Sequence, residues 1–188
     1  MSPFAGQTVL VTGATGFLGG AVARRLAEEG AQVKALARRT GRDEYLRDVA
    51  NIEIVMGDIT DAKRMVEVTN GCDYVFHIAA ALNGPLAEQL PVNEGGTANV
   101  ARAAAKAGVK RLVHVSTVAT YGYSNRGVIS EDTPQRPGNV PYNTSKLKAE
   151  QTLIEIANEF GLSYSIQRPG MIYGPRSGAW TTLFYKLA

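Results

Sequence analysis

The chain has 188 residues, 45% of them hydrophobic and 20% charged, and its 20 Lys and Arg residues against 17 Asp and Glu residues give a net charge of +3. This composition is typical of a soluble globular domain, and it excludes an intrinsically disordered chain and a collagen-like repeat. Because the basic residues are scattered and Cys72 is the only cysteine, we expect no nucleic-acid partner, no disulfide framework and a cytoplasmic location.

Six short runs rich in apolar and β-branched residues are typical of buried parallel strands. They cover residues 8–12, 32–37, 52–56, 74–78, 112–116 and 164–167. Segments of helical periodicity lie between most of these runs, at residues 17–29, 61–69, 92–106 and 142–160. Because strands and helices alternate, the sequence predicts an α/β fold, a doubly wound parallel sheet of the Rossmann type with helices on both faces.

The sequence lacks the segments typical of membrane and exported proteins, and it contains one long predicted loop. No run of about 18 apolar residues is present, and residues 1–5 lack the features of a signal peptide, so we expect neither a membrane partner nor export by that route. Residues 123–141 contain three prolines and form a predicted long loop. Loops of that length in a compact α/β domain are usually functional.

A glycine-rich run lies where the first predicted strand turns into the first helix. Glycines at such a turn let the backbone approach a pyrophosphate, and the N–H groups and dipole of the helix favour an anion. The spacing is Gly-x-x-Gly-x-x-Gly, which departs from the usual dinucleotide fingerprint, and a tight turn without a ligand is the alternative. With a strand before it and a helix after it, the run predicts a dinucleotide site formed by Gly13, Thr15, Gly16, Phe17, Leu18 and Gly19.

The end of the second predicted strand bears on the choice of dinucleotide. A site selective for NAD needs a carboxylate here to bind the ribose 2′-hydroxyl, whereas this chain has Arg38 and Arg39. Guanidinium groups match a 2′-phosphate, so we predict NADP as the preferred cofactor and NAD as the alternative, unless the two arginines form only a solvated turn. Asp58 is placed to bind the adenine amino group, with Ile59 beside the ring, or else to begin the next helix.

A phenol, an ammonium group and one of two neighbouring hydroxyls are candidates for catalysis. Tyr142 and Lys146 lie four residues apart at the start of a predicted helix and so share a face. An ammonium group beside a phenol lowers the pKa of the phenol, which can then pass a proton to or from a substrate oxygen while hydride moves at the carbon. Ser116 and Thr117 end the fifth predicted strand, and a hydroxyl there can bind the reacting oxygen.

These motifs resemble those of the extended short-chain dehydrogenase/reductase family, the NAD(P)-dependent epimerase/dehydratase group. The resemblance covers about residues 7–176 and is carried by residues 9–19, 57–58, 77–80, 93–99, 116–122, 141–146 and 168–175. Residues 71–77 and 145–150 are most similar to the branch of dihydroflavonol reductases and hydroxysteroid dehydrogenases.

The resemblance implies roles for individual residues. Thr117, four positions before a Tyr-Gly pair, would be the catalytic hydroxyl, with Ser116 as its neighbour and fallback. Tyr142 would be the general acid/base, and Lys146 would also hold the nicotinamide ribose. Asn93 would be a helix residue with a mainly structural role. The cofactor would further be lined by Ala79, Ala80 and Ala81.

Departures from the family pattern narrow the reaction. Nucleotide-sugar 4,6-dehydratases carry an Asp-Glu pair where this chain has Val118 and Ala119, neither of which can carry a proton. The 4,6-dehydratase reaction is therefore not expected. Because Arg38 and Arg39 favour NADPH, we predict an NADP(H)-dependent reduction of a ketone or aldehyde, or the reverse oxidation, on a small-molecule substrate. An NAD-dependent nucleotide-sugar epimerase is the first alternative, and a dinucleotide-sensing protein without catalysis is the second. The complete set of Thr, Tyr and Lys argues against the latter.

The resemblance also bears on domains and assembly. It implies a cofactor-binding and catalytic domain over residues 1–176 and the start of a substrate-binding region at 177–188. Family members are about twice the size of one domain. We therefore expect a truncated chain, and a minimal form whose pocket is open or completed by a partner is the alternative. Helices 92–106 and 142–160 would form the contact of a homodimer.

His77 and His114 have no ligand-spaced partners, so we expect packing roles for both and no metal site.

Overall fold

In the part of the chain that the structure describes, six parallel strands form a sheet in the order β3-β2-β1-β4-β5-β6. The computed structural model describes residues 2–38, 43–123, 127–178 and 181. The strands are β1 (Thr8–Thr12), β2 (Gln32–Ala37), β3 (Ile52–Met56), β4 (Tyr74–His77), β5 (Arg111–Val115) and β6 (Tyr164–Gln167). The predicted Rossmann fold is confirmed, and β1 lies at the point where the strand order reverses.

Within the described residues, five α-helices connect the strands. They are α1 (Phe17–Glu28), α2 (Ala62–Thr69), α3 (Leu86–Leu90), α4 (Gly96–Ala107) and α5 (Pro141–Phe160). A π-helical turn (Pro91–Gly95) joins α3 to α4, and a 3-10 turn (Val118–Tyr121) follows β5. Within the described ranges, no helix is both long enough and apolar enough to cross a bilayer.

The sheet separates two hydrophobic layers because successive side chains of a strand point to opposite faces. Leu10 of β1, Val75 of β4 and Leu112 of β5 are fully buried in the layer that contains α2, α4 and α5. Val9 and Val11 are fully buried in the other layer, which contains α1. Burying each such Leu or Val side chain stabilises the fold by about 1.5–3 kcal/mol. The central strands are therefore held on both faces.

Most predicted elements lie within one residue of the observed ones, and the exception is the helix predicted at residues 92–106. The chain is already helical from Leu86, and residues 91–95 form a π turn rather than the start of an α-helix. Pro91 lacks the N–H group that an α-helical hydrogen bond would need. The helical hydrogen bonds therefore change register at this residue before α4 begins.

The long loop predicted at residues 123–141 is anchored where the structure describes it. The Gln135 side-chain amide donates to Thr120 Oγ1 and to Glu150 Oε2, both at 2.9 Å. Gly122 has φ +75°, and a Cβ there would lie 2.1 Å from the Arg136 carbonyl oxygen. Only glycine fits this close approach of two backbone segments. Residues 135 and 136 of the loop are thereby held against α5 and the end of the 3-10 turn.

A buried ion pair joins α5 to the segment after β6. The Glu150 carboxylate, with a side chain 1% exposed, accepts from Arg168 Nη2 at 2.7 Å and from Arg168 Nε at 3.1 Å. Arg168 Nη1 also donates to the Tyr121 hydroxyl at 2.6 Å. Three separate chain segments therefore meet at one guanidinium group.

Replacing Glu150 by Ala would leave the Arg168 guanidinium, whose side chain is 19% exposed, without its carboxylate. Because an uncompensated charge in a largely buried position is costly, we expect the free energy of unfolding to fall by about 3 kcal/mol. Urea denaturation followed by circular dichroism measures this change. The exposed Glu155 of the same helix provides the control, and Glu155→Ala should change the free energy by less than about 0.5 kcal/mol. Equal effects of the two substitutions would contradict the importance of the pair.

Candidate active site

The carboxyl ends of β1, β4 and β5 and the start of α5 meet at one edge of the sheet. The glycine-rich turn follows β1, residues 78–81 follow β4, and Ser116 and Thr117 follow β5. Parallel α/β sheets bind ligands at this edge, where the strand order reverses. The structure thus brings the predicted phosphate-binding and catalytic residues to the same side of the molecule.

The glycine-rich turn is packed too tightly for side chains at two of its positions. Gly13 has φ +69°, and a Cβ there would lie 2.8 Å from the Ala79 backbone nitrogen. A Cβ at Gly19 would lie 2.1 Å from the Gly13 carbonyl oxygen. The turn is closed by a hydrogen bond of 2.9 Å from Gly16 N–H to the Gly13 carbonyl. Glycine is therefore required here by the contact of β1, β4 and α1.

The amino terminus of α1 suits an anion. Gly16 is its N-cap, no side chain caps the helix, and no acidic residue lies in its first turn. Thr15, Phe17 and Leu18 are half-buried, while Gly16 is exposed. The N–H groups at this end of the helix and its dipole favour a phosphate. The residues that form the turn therefore fit the diphosphate of a dinucleotide.

Arg176 lies against the same turn, and our reading of the sequence did not find it. Its guanidinium donates to the carbonyls of Thr15 and Gly16 at 3.3 and 3.4 Å and stacks on the Tyr45 ring, with its Cζ 3.9 Å from the ring centroid. No spacing rule connects residues that are 160 positions apart. Only the three-dimensional fold places this arginine beside the glycines.

The residues predicted to select the dinucleotide have varied surroundings. Arg38 is exposed at the carboxyl end of β2, and Arg39 lies outside the described residues. Asp58 Oδ1 accepts from the backbone N–H and the hydroxyl of Thr60, at 2.9 and 2.8 Å, so it shapes the turn before α2. Ile59 is 4% exposed and packs in the core against α4. The cofactor contacts of these residues stay predictions.

A buried hydrogen-bond chain connects the glycine-rich turn to α4. Thr12 Oγ1 accepts from the backbone N–H groups of Ile78 and Ala79, so its own proton is donated to His77 Nδ1 at 2.8 Å. His77 Nε2 is 2.9 Å from Thr97 Oγ1, whose hydroxyl donates to a backbone carbonyl. His77 is therefore neutral with its proton on Nε2. Burial, helped by the charge of Lys146, lowers the pKa of His77 to about 3.

Asn93 continues this chain toward α5, the helix that carries Tyr142 and Lys146. Its side chain accepts from Ala81 N–H at 2.7 Å and donates to the Ala81 carbonyl at 2.9 Å. It also donates to Ser145 Oγ at 2.8 Å, and Ser145 donates to Gln89 Oε1 or to the Tyr142 carbonyl. The half-buried segment of Ala79, Ala80 and Ala81 and the first turn of α5 are thus held by one amide.

The two hydroxyls after β5 differ in exposure. Ser116 is 4% exposed, and its Oγ has no hydrogen-bond partner among the described residues. Thr117 is half-buried and extended, with φ −161°, and its Oγ1 accepts from Ala119 N–H at 3.2 Å. Thr117 is therefore the better placed of the two to contact a ligand.

Tyr142 and Lys146 occupy different depths on α5. Tyr142 is half-buried, and burial raises the pKa of its phenol. Lys146 is 1% exposed, and its Nζ donates to the Val115 carbonyl at 2.8 Å and lies 3.3 Å from His114 Nε2. Burial lowers the pKa of Lys146 to about 8, and the charge of Glu150 opposes this shift. The predicted lowering of the pKa of Tyr142 by Lys146 is not seen, because burial dominates at the phenol and the ammonium is bound elsewhere.

Within the ranges that the structure describes, no three His, Cys, Asp or Glu side chains are grouped so that they could hold a metal ion. The chemistry that this edge of the sheet offers is that of hydroxyl, phenol and ammonium groups beside a turn that suits an anion. Proton transfer next to a bound dinucleotide is the reaction that such groups support.

Comparison with known proteins agrees with this arrangement. Residues 9–186 match the NAD dependent epimerase/dehydratase family. A putative dihydroflavonol 4-reductase of Synechocystis is 34% identical over 88% of this chain and 49% of its own length. A UDP-glucose 4-epimerase of Mycolicibacterium smegmatis is 35% identical over 89% of this chain and 56% of its own length. The chain spans about half the length of these curated relatives.

A solved structure shows the same fold with a ligand. The Bordetella bronchiseptica enzyme WbmH, in complex with NAD+, is 30% identical and superposes with a TM-score of 0.86 over 96% of this chain and 62% of its own. The family match covers nearly the whole chain and agrees with the sheet, the glycine-rich turn and the motifs after β5. The chain belongs to the NAD dependent epimerase/dehydratase family of extended short-chain dehydrogenases/reductases.

Proposed function

We propose that this chain carries the cofactor-binding and catalytic half of an oxidoreductase that moves hydride between NADP(H) and the carbonyl or secondary alcohol of a small molecule. The observation that supports the proposal most is the convergence of the glycine-rich turn, Thr117, Tyr142 and Lys146 at one edge of the sheet. A bound nicotinamide would supply the hydride in the direction of reduction.

The protein residues then manage the oxygen of the substrate. Reduction of a carbonyl carbon places negative charge on the oxygen, which must receive one proton. Burial raises the pKa of Tyr142, so the phenol is protonated at neutral pH and can donate that proton. The Thr117 hydroxyl can donate a hydrogen bond to the same oxygen and stabilise the developing charge. The protonated phenol suits the direction of reduction.

Replacing Tyr142 by Phe removes the proton donor and leaves the glycine-rich turn unchanged. We expect turnover to fall by about 100-fold or more, since a positioned general acid contributes at least that much. The affinity for NADPH, measured by calorimetry, should change little. NADPH oxidation is followed with a panel of ketones, aldehydes and nucleotide sugars.

The control for this substitution is Tyr164→Phe, which removes the same hydroxyl group from β6. It should leave turnover at the level of the unmodified chain. Equal turnover of the Tyr142→Phe and Tyr164→Phe variants would contradict the assignment of Tyr142. Dinucleotide binding without turnover of any substrate by the unmodified chain would favour the dinucleotide-sensing alternative.

We further propose NADP as the preferred dinucleotide. Arg38 supports this proposal because it is exposed at the carboxyl end of β2, and Arg39 follows it in the sequence. The solved relative WbmH was crystallised with NAD+, and a chain that used NAD would fit the epimerase alternative better. Nucleotide-sugar epimerisation is therefore the second candidate, supported by the similarity to UDP-glucose 4-epimerase.

Replacing Arg38 and Arg39 together by Ala should weaken NADPH binding by about tenfold or more, since hydrogen bonds to a charged group contribute about 1.5–3 kcal/mol. NADH binding should change little, because it has no 2′-phosphate. Calorimetric titration with both dinucleotides measures the two affinities. Arg25→Ala is the control, since Arg25 is exposed on α1 and pairs with Glu29. Equal losses for NADPH and NADH would contradict the preference.

We also propose a homodimer through the helices at 92–106 and 142–160. A groove between α3, the π turn and α5 supports it, since mostly small or apolar residues line it, among them Ala87 and Leu90, together with the carboxylate of Glu94. Sedimentation velocity should give twice the chain mass of 20.1 kDa. Leu90→Arg should shift the protein toward the single mass, because it places a charge in the contact. A single mass at all concentrations for the unmodified chain would contradict the dimer.

A further inference from the structure

His114 contacts Lys146 from the centre of the sheet. The histidine lies on β5, is fully buried, and places Nε2 at 3.3 Å from Lys146 Nζ. The carbonyl of the next residue, Val115, accepts from the same Nζ at 2.8 Å. Two of the three N–H groups of the ammonium are thus directed at β5.

The contact determines which nitrogen of His114 carries the proton. An ammonium group can only donate, so His114 Nε2 accepts and the proton is on Nδ1. His114 Nδ1 is buried and has no partner among the residues that the structure describes. A buried N–H group without a partner costs about 1–3 kcal/mol, which a leucine or phenylalanine at this position would avoid. Packing alone therefore does not account for a histidine here.

The neighbouring groups keep the His114 ring neutral. The ring of His77 is 5.1 Å away, centroid to centroid, and its own proton is fixed on Nε2 by Thr12 and Thr97. Burial and the charge of Lys146 lower the pKa of His114 well below its usual value. On α5, Tyr142 lies one turn before Lys146 and Glu150 lies one turn after it. The two imidazoles therefore add no positive charge beside the lysine.

We propose that His114 is a positioning residue for Lys146, with a neutral Nδ1-protonated imidazole that accepts one N–H of the ammonium. The Val115 carbonyl accepts a second N–H, and one of the three is left for the hydroxyls of a nicotinamide ribose. The acceptor at His114 also stabilises the charged form of the lysine. This inference rests on the proposed function only for the role of the third N–H group.

The first test is the tautomeric state of the two histidines. The chain contains only two His residues, so long-range nitrogen–proton correlation spectra show two imidazoles, and a His114→Gln variant assigns them. We expect the proton of His114 on Nδ1 and that of His77 on Nε2, with no titration of either ring between pH 6 and pH 8. A His114 ring with its proton on Nε2, or with a positive charge, would overturn the inference.

The second test measures the titration of Lys146 itself. In protein labelled with ¹³C at lysine Cε, the Lys146 signal should titrate near pH 8. Replacing His114 by Phe removes an acceptor from the ammonium and so destabilises its charged form. The midpoint should fall by about one pH unit or more, as expected for a hydrogen bond to a buried charge. His114→Gln keeps an acceptor, so its Lys146 midpoint should lie close to that of the unmodified chain.

Two comparisons separate positioning from general loss of stability. Leu112→Val creates a small cavity in the same buried strand and should leave the Lys146 midpoint unchanged. The affinity for NADPH should fall more for His114→Phe than for His114→Gln as the pH rises from 7 to 9, since the lysine then loses its charge. An unchanged Lys146 midpoint in folded His114→Phe would overturn the inference. If His114→Phe does not fold, the His114→Gln variant and the tautomer measurement decide it.

Failure of the proposed function gives a different result. If the chain binds neither NADPH nor NADH, the tautomers and the shift of the Lys146 midpoint still report on His114. If NADPH binds and turnover depends on Tyr142, but the Lys146 midpoint is unchanged by substitution of His114, only the proposed role of His114 is contradicted.

Discussion

The candidate site depends on one buried chain of hydrogen bonds that runs from β1 to α5. It begins at Thr12, passes through the neutral His77 and Thr97, and reaches Asn93 and Ser145. From Thr12 to Asn93 each donor has one acceptor, so the direction of that part of the chain is defined. Buried polar groups that are fully paired specify one arrangement, because any other arrangement leaves a group unpaired. The glycine-rich turn and the helix that carries Tyr142 are thereby held in a fixed relation.

Local patterns were enough to predict the strands, most of the helices and the residues of the glycine-rich turn. Tyr142 and Lys146 were also within reach, because helical spacing alone places them on one face. The roles of His77 and His114 could not be predicted, since their partners are up to 65 positions away and an isolated histidine in an apolar strand indicates packing. Arg176 was missed for the same reason, and the π turn was missed because Pro91 changes the helical hydrogen bonds without ending the helix.

Charge at the site is controlled by burial more than by ion pairs. Lys146 and the two histidines are all buried, and the histidines stay neutral. The Glu150 carboxylate has two effects. It binds Arg168 directly, and its charge favours the charged form of Lys146 from a distance. One side chain therefore serves both the stability of the fold and the protonation state of the candidate catalytic lysine.

The close backbone contacts at Gly13 and Gly19 have a consequence for how a ligand would bind. The turn cannot widen unless β4 and α1 move with it, because Ala79 and the Gly13 carbonyl occupy the space where side chains would lie. A dinucleotide would therefore meet N–H groups that are already in their bound positions. The entropy of ordering this loop is lost when the protein folds, so little of the binding free energy would be spent on it later.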